Sequence, residues 1–175
     1  MIRKRLILLF TAATLGSCGT GDNSEQNVPA IGPAVQESLI QANQQLNRLE
    51  SEAIDLYVSR KGLKMTKTGS GLRYMIEEKG TGEIAKPGMT ATVNFKLSLL
   101  NGKVCYNSDS TGTEQFVIDQ DEVESGLHEG IKMMHVGGKA KFILPSHLAH
   151  GLAGDHNCVP ARSPIIYDVQ LLNLK

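Results

Sequence analysis

Residues 121–154 read DEVESGLHEGIKMMHVGGKAKFILPSHLAHGLAG, and this stretch decides the fold. Its first part predicts a short helix, because three apolar residues recur at the spacing of one helical face: Leu127, Ile131 and Met134. The sequence HVGG at 135–138 ends that helix. Residues 139–145 then alternate between apolar and polar side chains, which predicts a half-buried strand that Pro145 terminates before a loop.

The rest of the C-terminal region also has the alternation of strands. Three further runs place every second apolar residue on one face, at 72–77, 91–99 and 165–171. The sequences KGTG at 79–82 and NGK at 101–103 are turn signals, and the second is typical of a hairpin. One short helix among several antiparallel strands predicts the α+β class.

Length and composition limit the number of domains and the kinds of partner. The chain has 175 residues and 41% apolar content, enough for one good core and one additional element. Its 18 basic and 18 acidic residues give no net charge, so no nucleic-acid-binding surface is indicated.

The N-terminus predicts export and lipid anchoring. Basic residues at 3–5 precede an apolar stretch at 6–15, and Leu15-Gly16-Ser17-Cys18 is similar to a bacterial lipobox. We therefore expect a signal peptide at 1–17, a lipidated Cys18 and a polar, flexible tether at 18–32. The expected location is the bacterial cell envelope, on the periplasmic or the outer face of the outer membrane. An ordinary secretory signal is the alternative.

Residues 33–61 predict a long amphipathic helix that begins at Pro33. Seven apolar residues, alternately four and three positions apart, form a heptad stripe: Val35, Leu39, Ala42, Leu46, Leu49, Ala53 and Leu56. Two interpretations remain open. The stripe covers the chain's own domain, predicted at 70–175, or it pairs two protomers in a two-stranded coiled coil.

From residue 72 to the end, the chain resembles the FK506-binding (FKBP) type of peptidyl-prolyl cis-trans isomerase. The resemblance rests on the order of several motifs: Val93-Asn94-Phe95, Asn101-Gly102-Lys103, Phe116, Glu122-Val123, Gly126-Leu127-His128-Glu129-Gly130, Val136-Gly137-Gly138-Lys139, Pro145 to Gly151 and Tyr167 to Leu172. Residues 125–129 and 146–151 are most similar to the gliding-motility-associated lipoprotein branch of that family.

This resemblance implies a strongly twisted antiparallel sheet of five or six strands, wrapped around the short helix. It also implies isomerase or chaperone activity on proline-containing polypeptides, binding of FK506-like macrolides, and no metal, nucleophile or cofactor. The prolyl pocket would have Leu127 as its floor, and the backbone N–H of Glu124 would meet the substrate carbonyl. Five residues would form its walls: Phe95, Phe116, Val123, Val159 and Tyr167.

Three positions depart from the family pattern. Leu127 stands where well-known members have tryptophan, and His150 stands where a tyrosine hydroxyl usually donates to the ligand. The usual pocket aspartate is absent, and its position falls on Tyr106 or Asn107. His150 and the missing aspartate favour an alternative function, an FKBP-like binding or assembly module with weak or lost isomerase activity.

Histidines cluster in the loop after the predicted strand. His147, His150, Asp155 and His156 could supply zinc ligands, but their spacing matches no compact zinc motif, so we expect solvated loop histidines. His128 and His135 are expected on the helix surface.

Two cysteines remain besides Cys18. An exported protein lies in an oxidising compartment, where a pair of thiols is expected to form a disulfide. The resemblance puts Cys105 beside the second strand of the pocket and Cys158 in the loop at its mouth. We expect a disulfide between them, and two free thiols are the alternative.

Overall fold

The computed structural model describes residues 32–175 and confirms the α+β class. The predicted signal peptide, Cys18 and almost all of the tether lie outside these residues. The elements in chain order are α1 (Pro33–Arg60), β1 (Thr66–Lys67), β2 (Arg73–Glu78), β3 (Thr90–Leu99), β4 (Val104–Asn107), α2 (Ser108–Thr111), β5 (Glu114–Val117), α3 (Ser125–Ile131), β6 (Lys139–Leu144), a 3-10 turn (Ser146–Leu148) and β7 (Ile165–Leu174).

All strands belong to one antiparallel sheet. Its order is β1-β2-β6-β7-β3-β4, and β5 pairs with the first half of β3. The sheet has seven strands instead of the expected five or six. The two-residue β1 is too short to be recognised by alternation, and it joins the sheet by pairing with Tyr74 and Arg73 of β2.

The main core lies between the sheet and α3. It contains buried residues of both elements, among them Leu127, Ile131, Phe142 and Tyr167. The helix and the sheet approach closely at Gly130, where an added Cβ atom would lie 2.9 Å from the ring of Phe142. This close approach explains why the helix that the sequence predicts contains a glycine.

The long helix α1 attaches to the opposite face of the sheet by its C-terminal part. Ile54 is fully buried against Ile143 and Ile166, and Tyr57 and Val58 pack beside it. The helix therefore lies on the chain's own domain, as one of the two interpretations expects, but the heptad stripe does not make this contact. Its large members are 45–55% exposed: Val35, Leu39, Leu46, Leu49 and Leu56.

A buried arginine strengthens the attachment of α1. Alternation placed Arg73 on the polar face of β2, yet its side chain is only 3% exposed. Its guanidinium donates to Asp55 Oδ1 at 2.7 and 3.0 Å and to Ser51 Oγ at 2.6 Å. A buried charge needs such partners. The sequence of β2 alone could not reveal them, because they come from α1.

Two more contacts connect α1 to loops beyond the sheet. The Glu50 carboxylate accepts hydrogen bonds from the backbone N–H of Ser146 and from its hydroxyl, the latter at 2.7 Å. Arg162 donates to Asn43 Oδ1 at 2.7 Å. Of the helices in residues 32–175, none has the length and apolarity needed to cross a membrane.

Candidate functional site

A cavity of about 510 Å³ opens beside α3. Side chains of β3, β4, α2, β5 and β7, of the segment that enters α3 and of the loop after the 3-10 turn form its surface. The lining residues are Phe95, Leu97, Tyr106, Thr111, Glu114, Glu122, Val123, Glu124, Ser125, Ala149, His150 and Tyr167. Five predicted site residues meet here: Phe95, Val123, Glu124, His150 and Tyr167.

Aromatic side chains form one side of the cavity. The rings of Phe95 and Tyr167 lie on the neighbouring strands β3 and β7, with centroids 5.8 Å apart and planes tilted by 53°. Tyr106 of β4 adds a third ring. Such a surface offers apolar contact and excludes water from a bound group.

Glu124 is the centre of a polar cluster at the cavity. Both of its carboxylate oxygens lie 3.0 Å from the Tyr167 hydroxyl, which donates to them, and His150 Nε2 lies 3.0 Å from Oε1. Burial, and then the negative charge of Glu124, raise the pKa of Tyr167 well above its usual value. Tyr167 therefore remains a hydrogen-bond donor throughout the ordinary pH range.

The backbone N–H of Glu124 was the predicted donor to a substrate carbonyl. Within residues 32–175 this group donates no hydrogen bond, although the carbonyl of Glu124 accepts from the N–H groups of Leu127 and His128. Glu124 lines the cavity at the start of α3, and because this N–H has no acceptor within the described residues, it stays the predicted donor.

Three residues predicted as pocket floor or walls lie in the core instead. Phe116, Leu127 and Val159 are 2–3% exposed and do not line the cavity. The ring of Phe116 packs edge-on against His128, with centroids 5.7 Å apart. Glu114, two residues before Phe116 on the same face of β5, is the residue of that strand that reaches the cavity.

Glu114 and Glu122 are lining residues that the sequence analysis did not identify. Partial burial, and then the negative charge of Glu124, raise the pKa of Glu114. Alternation along β5 contained the signal for Glu114, because it shares a face with Phe116. Glu122 lies in an irregular segment, where no periodicity could have indicated its direction.

A β-bulge determines the register of β4. Leu97 pairs with Tyr106 and Ser98 with Val104, so Cys105 is the additional residue. Tyr106 consequently points to the cavity. The side chain of Asn107 accepts from the N–H of Asp109 at 3.0 Å and caps α2. Neither residue provides the missing carboxylate.

A disulfide and an aspartate hold the loop at the mouth of the cavity. Cys105 and Cys158 are bonded, with their Cα atoms 5.6 Å apart. Asp155 Oδ1 accepts from the N–H groups of Asn157, Cys158 and Val159 at 2.8–2.9 Å, and Oδ2 accepts from the Tyr106 hydroxyl.

These hydrogen bonds change the ionisation of both side chains. Partial burial opposes the charge of Asp155, but the hydrogen bonds from Tyr106 and from the three backbone groups outweigh it and lower its pKa to about 2. The hydrogen bond to Asp155, followed by burial, raises the pKa of Tyr106. The loop is therefore held by a charged acceptor at neutral pH.

The loop histidines have separate surroundings. His147 Nε2 lies 2.9 Å from the carbonyl oxygen of Ser70, His150 contacts Glu124, and His156 is exposed. No three His, Cys, Asp or Glu side chains between residues 32 and 175 are arranged to hold a metal ion.

The expectation that His128 lies on the surface is wrong. Its side chain is 9% exposed, and both ring nitrogens make hydrogen bonds. Nδ1 accepts from the N–H of Asp119 and Nε2 donates to the carbonyl of Asp121, each at 3.0 Å. His128 therefore holds the segment that leads to Glu122 and Glu124.

Comparison with known proteins identifies relatives that match most of this chain. The family model described as FKBP-type peptidyl-prolyl cis-trans isomerase matches residues 81–172. FkpA of Escherichia coli (strain K12), an FKBP-type isomerase, is 35% identical over 156 residues, which are 86% of this chain and 56% of FkpA. A probable FKBP-type isomerase of Haemophilus influenzae is 32% identical over 157 residues, 89% of this chain and 62% of the relative.

Solved structures show the same likeness. The crystal structure of Escherichia coli FkpA superimposes with a TM-score of 0.64 and 30% identity, and the match covers 83% of this chain and 74% of that one. AtFKBP13 superimposes with a TM-score of 0.61 and 27% identity over 64% of this chain and 99% of its own. The chain thus spans little more than half the length of the FkpA sequence that it matches.

Proposed function

Because the chain belongs to the FKBP-type peptidyl-prolyl cis-trans isomerase family, we propose that it isomerises peptide bonds preceding proline in folding polypeptides. The observation that carries this proposal is the cavity lined by Phe95, Tyr106 and Tyr167 inside the matched region. Its volume of about 510 Å³ is in the range of pockets for small ligands.

The proposed chemistry needs no nucleophile and no cofactor. Rotation about a peptide bond has a barrier of roughly 18–20 kcal/mol, because the planar amide is stabilised by resonance. An aromatic surface that removes water from the amide and fits its twisted form lowers that barrier. The Glu124 N–H is the donor that we assign to the substrate carbonyl, since no group in residues 32–175 accepts from it.

A protease-coupled assay of cis-to-trans conversion in a proline tetrapeptide tests this function. Phe95→Ala removes an aromatic contact worth about 1.5 kcal/mol and should lower kcat/KM about tenfold. The matched control is Tyr57→Ala, an aromatic residue of α1 on the opposite face of the sheet, which should retain full kcat/KM. An FK506-like macrolide should compete with the peptide. Equal kcat/KM values for Phe95→Ala and wild type would contradict the assignment of this cavity as the active site.

The alternative function is an FKBP-like binding or assembly module with little catalysis. Two observations favour it: Asn107 is engaged in capping α2, and the Tyr106 hydroxyl is engaged by Asp155. Neither residue therefore offers a free polar group at the position of the usual aspartate. Binding of proline peptides without acceleration of their isomerisation would establish this alternative.

We also propose that the protein is a lipoprotein of the bacterial outer membrane, anchored through Cys18 and facing the periplasm or the exterior. The lipobox-like Leu15-Gly16-Ser17-Cys18 supports this location, and the motifs at 125–129 and 146–151 support the gliding-motility-associated branch. Cys18→Ser should move the protein out of the membrane fraction. Unchanged partitioning of the variant would contradict lipid anchoring.

The exposed stripe of α1 supports a homodimer. Val35, Leu39, Leu46 and Leu49 are 45–55% exposed along one helix, and a second copy of the helix would bury them. Sedimentation equilibrium should give a dimer for the wild type and a monomer for Leu39→Glu/Leu46→Glu. A monomeric wild type at micromolar concentration would exclude the pairing.

A further inference from the structure

The cavity carries an excess of negative charge. Three glutamates line it: Glu114 on β5, and Glu122 and Glu124 in the segment before α3. No lysine or arginine is among the lining residues. A cleft lined by charges of one sign concentrates their field, because its walls have a lower dielectric constant than water.

The three carboxylates differ in how they are compensated. Glu124 is 11% exposed and accepts a hydrogen bond from the Tyr167 hydroxyl, so its carboxylate already has a donor within the protein. Glu114 and Glu122 form no ion pair and no side-chain hydrogen bond with any group in residues 32–175. Their charges remain available to a ligand.

The surroundings of Glu114 make its free charge unfavourable. Partial burial, and then the charge of Glu124, raise the pKa of its carboxyl group. A cationic group placed near Glu114 would offset the repulsion between the two carboxylates and favour the charged form of Glu114. The aromatic rings of Phe95, Tyr106 and Tyr167 in the same cavity provide the contact for an apolar ring.

We infer that the cavity selects polypeptide segments in which lysine or arginine is the immediate neighbour of proline, with Glu114 as the main specificity-determining residue and Glu122 as its second contributor. This inference rests on the proposed function, since it assigns a substrate class to the same cavity. One partly solvated charge pair at about 5 Å is worth on the order of 1 kcal/mol, which corresponds to about a fivefold preference.

Peptides that differ in one residue test the inference. Each contains proline and carries lysine, glutamine or glutamate directly before or directly after it. Isomerisation is measured by NMR exchange spectroscopy and binding by fluorescence anisotropy of labelled peptides. In at least one of the two positions, lysine should exceed glutamine, and glutamine should exceed glutamate, each by about fivefold at low salt. The preference for lysine should decrease in about 0.5 M salt, because salt screens the interaction between the peptide charge and the carboxylates.

Substitutions identify the responsible carboxylate. Glu114→Gln should reduce the ratio between the lysine and glutamate peptides by about fivefold, and Glu122→Gln should reduce it less. The matched control is Glu83→Gln, which removes the same charge from an exposed residue outside the cavity that pairs with Lys86. This control should retain the wild-type ratio. Circular dichroism establishes that each variant is folded.

The possible results separate this inference from the proposed catalysis. Equal affinities and rates for lysine and glutamate peptides in both positions would overturn the inference, even if the glutamine peptide is isomerised normally. An unchanged ratio in Glu114→Gln would overturn the assignment to Glu114. A lysine preference in binding without any isomerisation would support the inference and refute the catalysis.

Discussion

The two faces of the central sheet perform different tasks, although adjacent residues of the same strands form them. Phe142 and Tyr167 pair across β6 and β7 and belong to the core below the cavity. The next pair, Ile143 and Ile166, lies on the opposite face and packs against Ile54 of α1. One residue of register therefore separates the cavity face from the helix face.

The two faces differ in how much their packing contributes to the stability of the domain. The cavity face is covered by a large apolar core that includes α3. The helix face has a small apolar patch around Ile54, a buried Arg73 and an ion-pair network that includes Lys96 and Asp168 at 2.8 Å. We therefore expect loss of the cavity-face packing to unfold the domain, and loss of the helix-face packing to release α1 alone.

The largest expected effect is that of Phe142→Ala. Phe142 is fully buried, and removing its ring leaves a cavity in the core, so the free energy of unfolding should fall by about 3–5 kcal/mol. Urea titration followed by circular dichroism measures this loss. Ile143→Val, the neighbouring residue on the other face, is the control and should cost about 1 kcal/mol. A loss below about 1 kcal/mol in Phe142→Ala would contradict the role of this ring in the core.

Loss of the disulfide should have the next largest effect. Cys105 and Cys158 are 53 residues apart, and the chain-entropy model gives on the order of 4 kcal/mol for closing such a loop, although real bridges often contribute less. The Cys105→Ser/Cys158→Ser variant should lose about 2–4 kcal/mol of unfolding free energy. Affinity for proline peptides should also fall, because the bridge holds the loop beside Tyr106. Wild-type protein treated with reductant should behave like the variant.

A variant that retains wild-type stability and peptide affinity without the bridge would show that the hydrogen bonds of Asp155 hold the loop alone. Titration of free thiols under denaturing conditions, without reductant, is the control for the wild type. It should detect neither Cys105 nor Cys158, because both sulfurs are bonded.

On the helix face, Ile54→Ala should have a smaller and more local effect. Ile54 is the only fully buried residue within the described helix α1, and its truncation should cost about 2 kcal/mol. Hydrogen exchange should accelerate in residues 50–60 and remain slow in β6 and β7. The proposed isomerase activity should persist. Uniformly faster exchange in the sheet would contradict the independence of the two faces.

The sequence predicted the sheet more completely than the site, for a physical reason. Alternation identifies which residues share a face, and it correctly predicted β6 and β7. It does not determine where along a strand the core ends and a cavity begins. The family resemblance implied Phe116 as a wall, whereas Glu114, two residues earlier on β5, lines the cavity. Contacts between distant elements are also absent from local patterns, which is why the burial of Arg73 and of His128 was not predicted.

The smallest expected effect concerns the pH dependence of the loop on the cavity face. Because the pKa of Asp155 is lowered to about 2 in the folded protein, its stabilising contribution is fully present above about pH 4, where the carboxyl is ionised in both states. As the pH falls from about 4 to about 2, the unfolded chain binds the proton first, and the contribution is lost. The difference in Tm between wild type and Asp155→Asn should therefore narrow across this range. Tyr106→Phe removes one donor, so it should raise the folded-state pKa of Asp155 and with it the lower end of this pH range, toward the usual pKa of aspartate. A difference in Tm that stays constant from pH 5 to pH 2.5 would mean that the carboxylate charge does not hold the loop, and the disulfide would then remain as its main constraint.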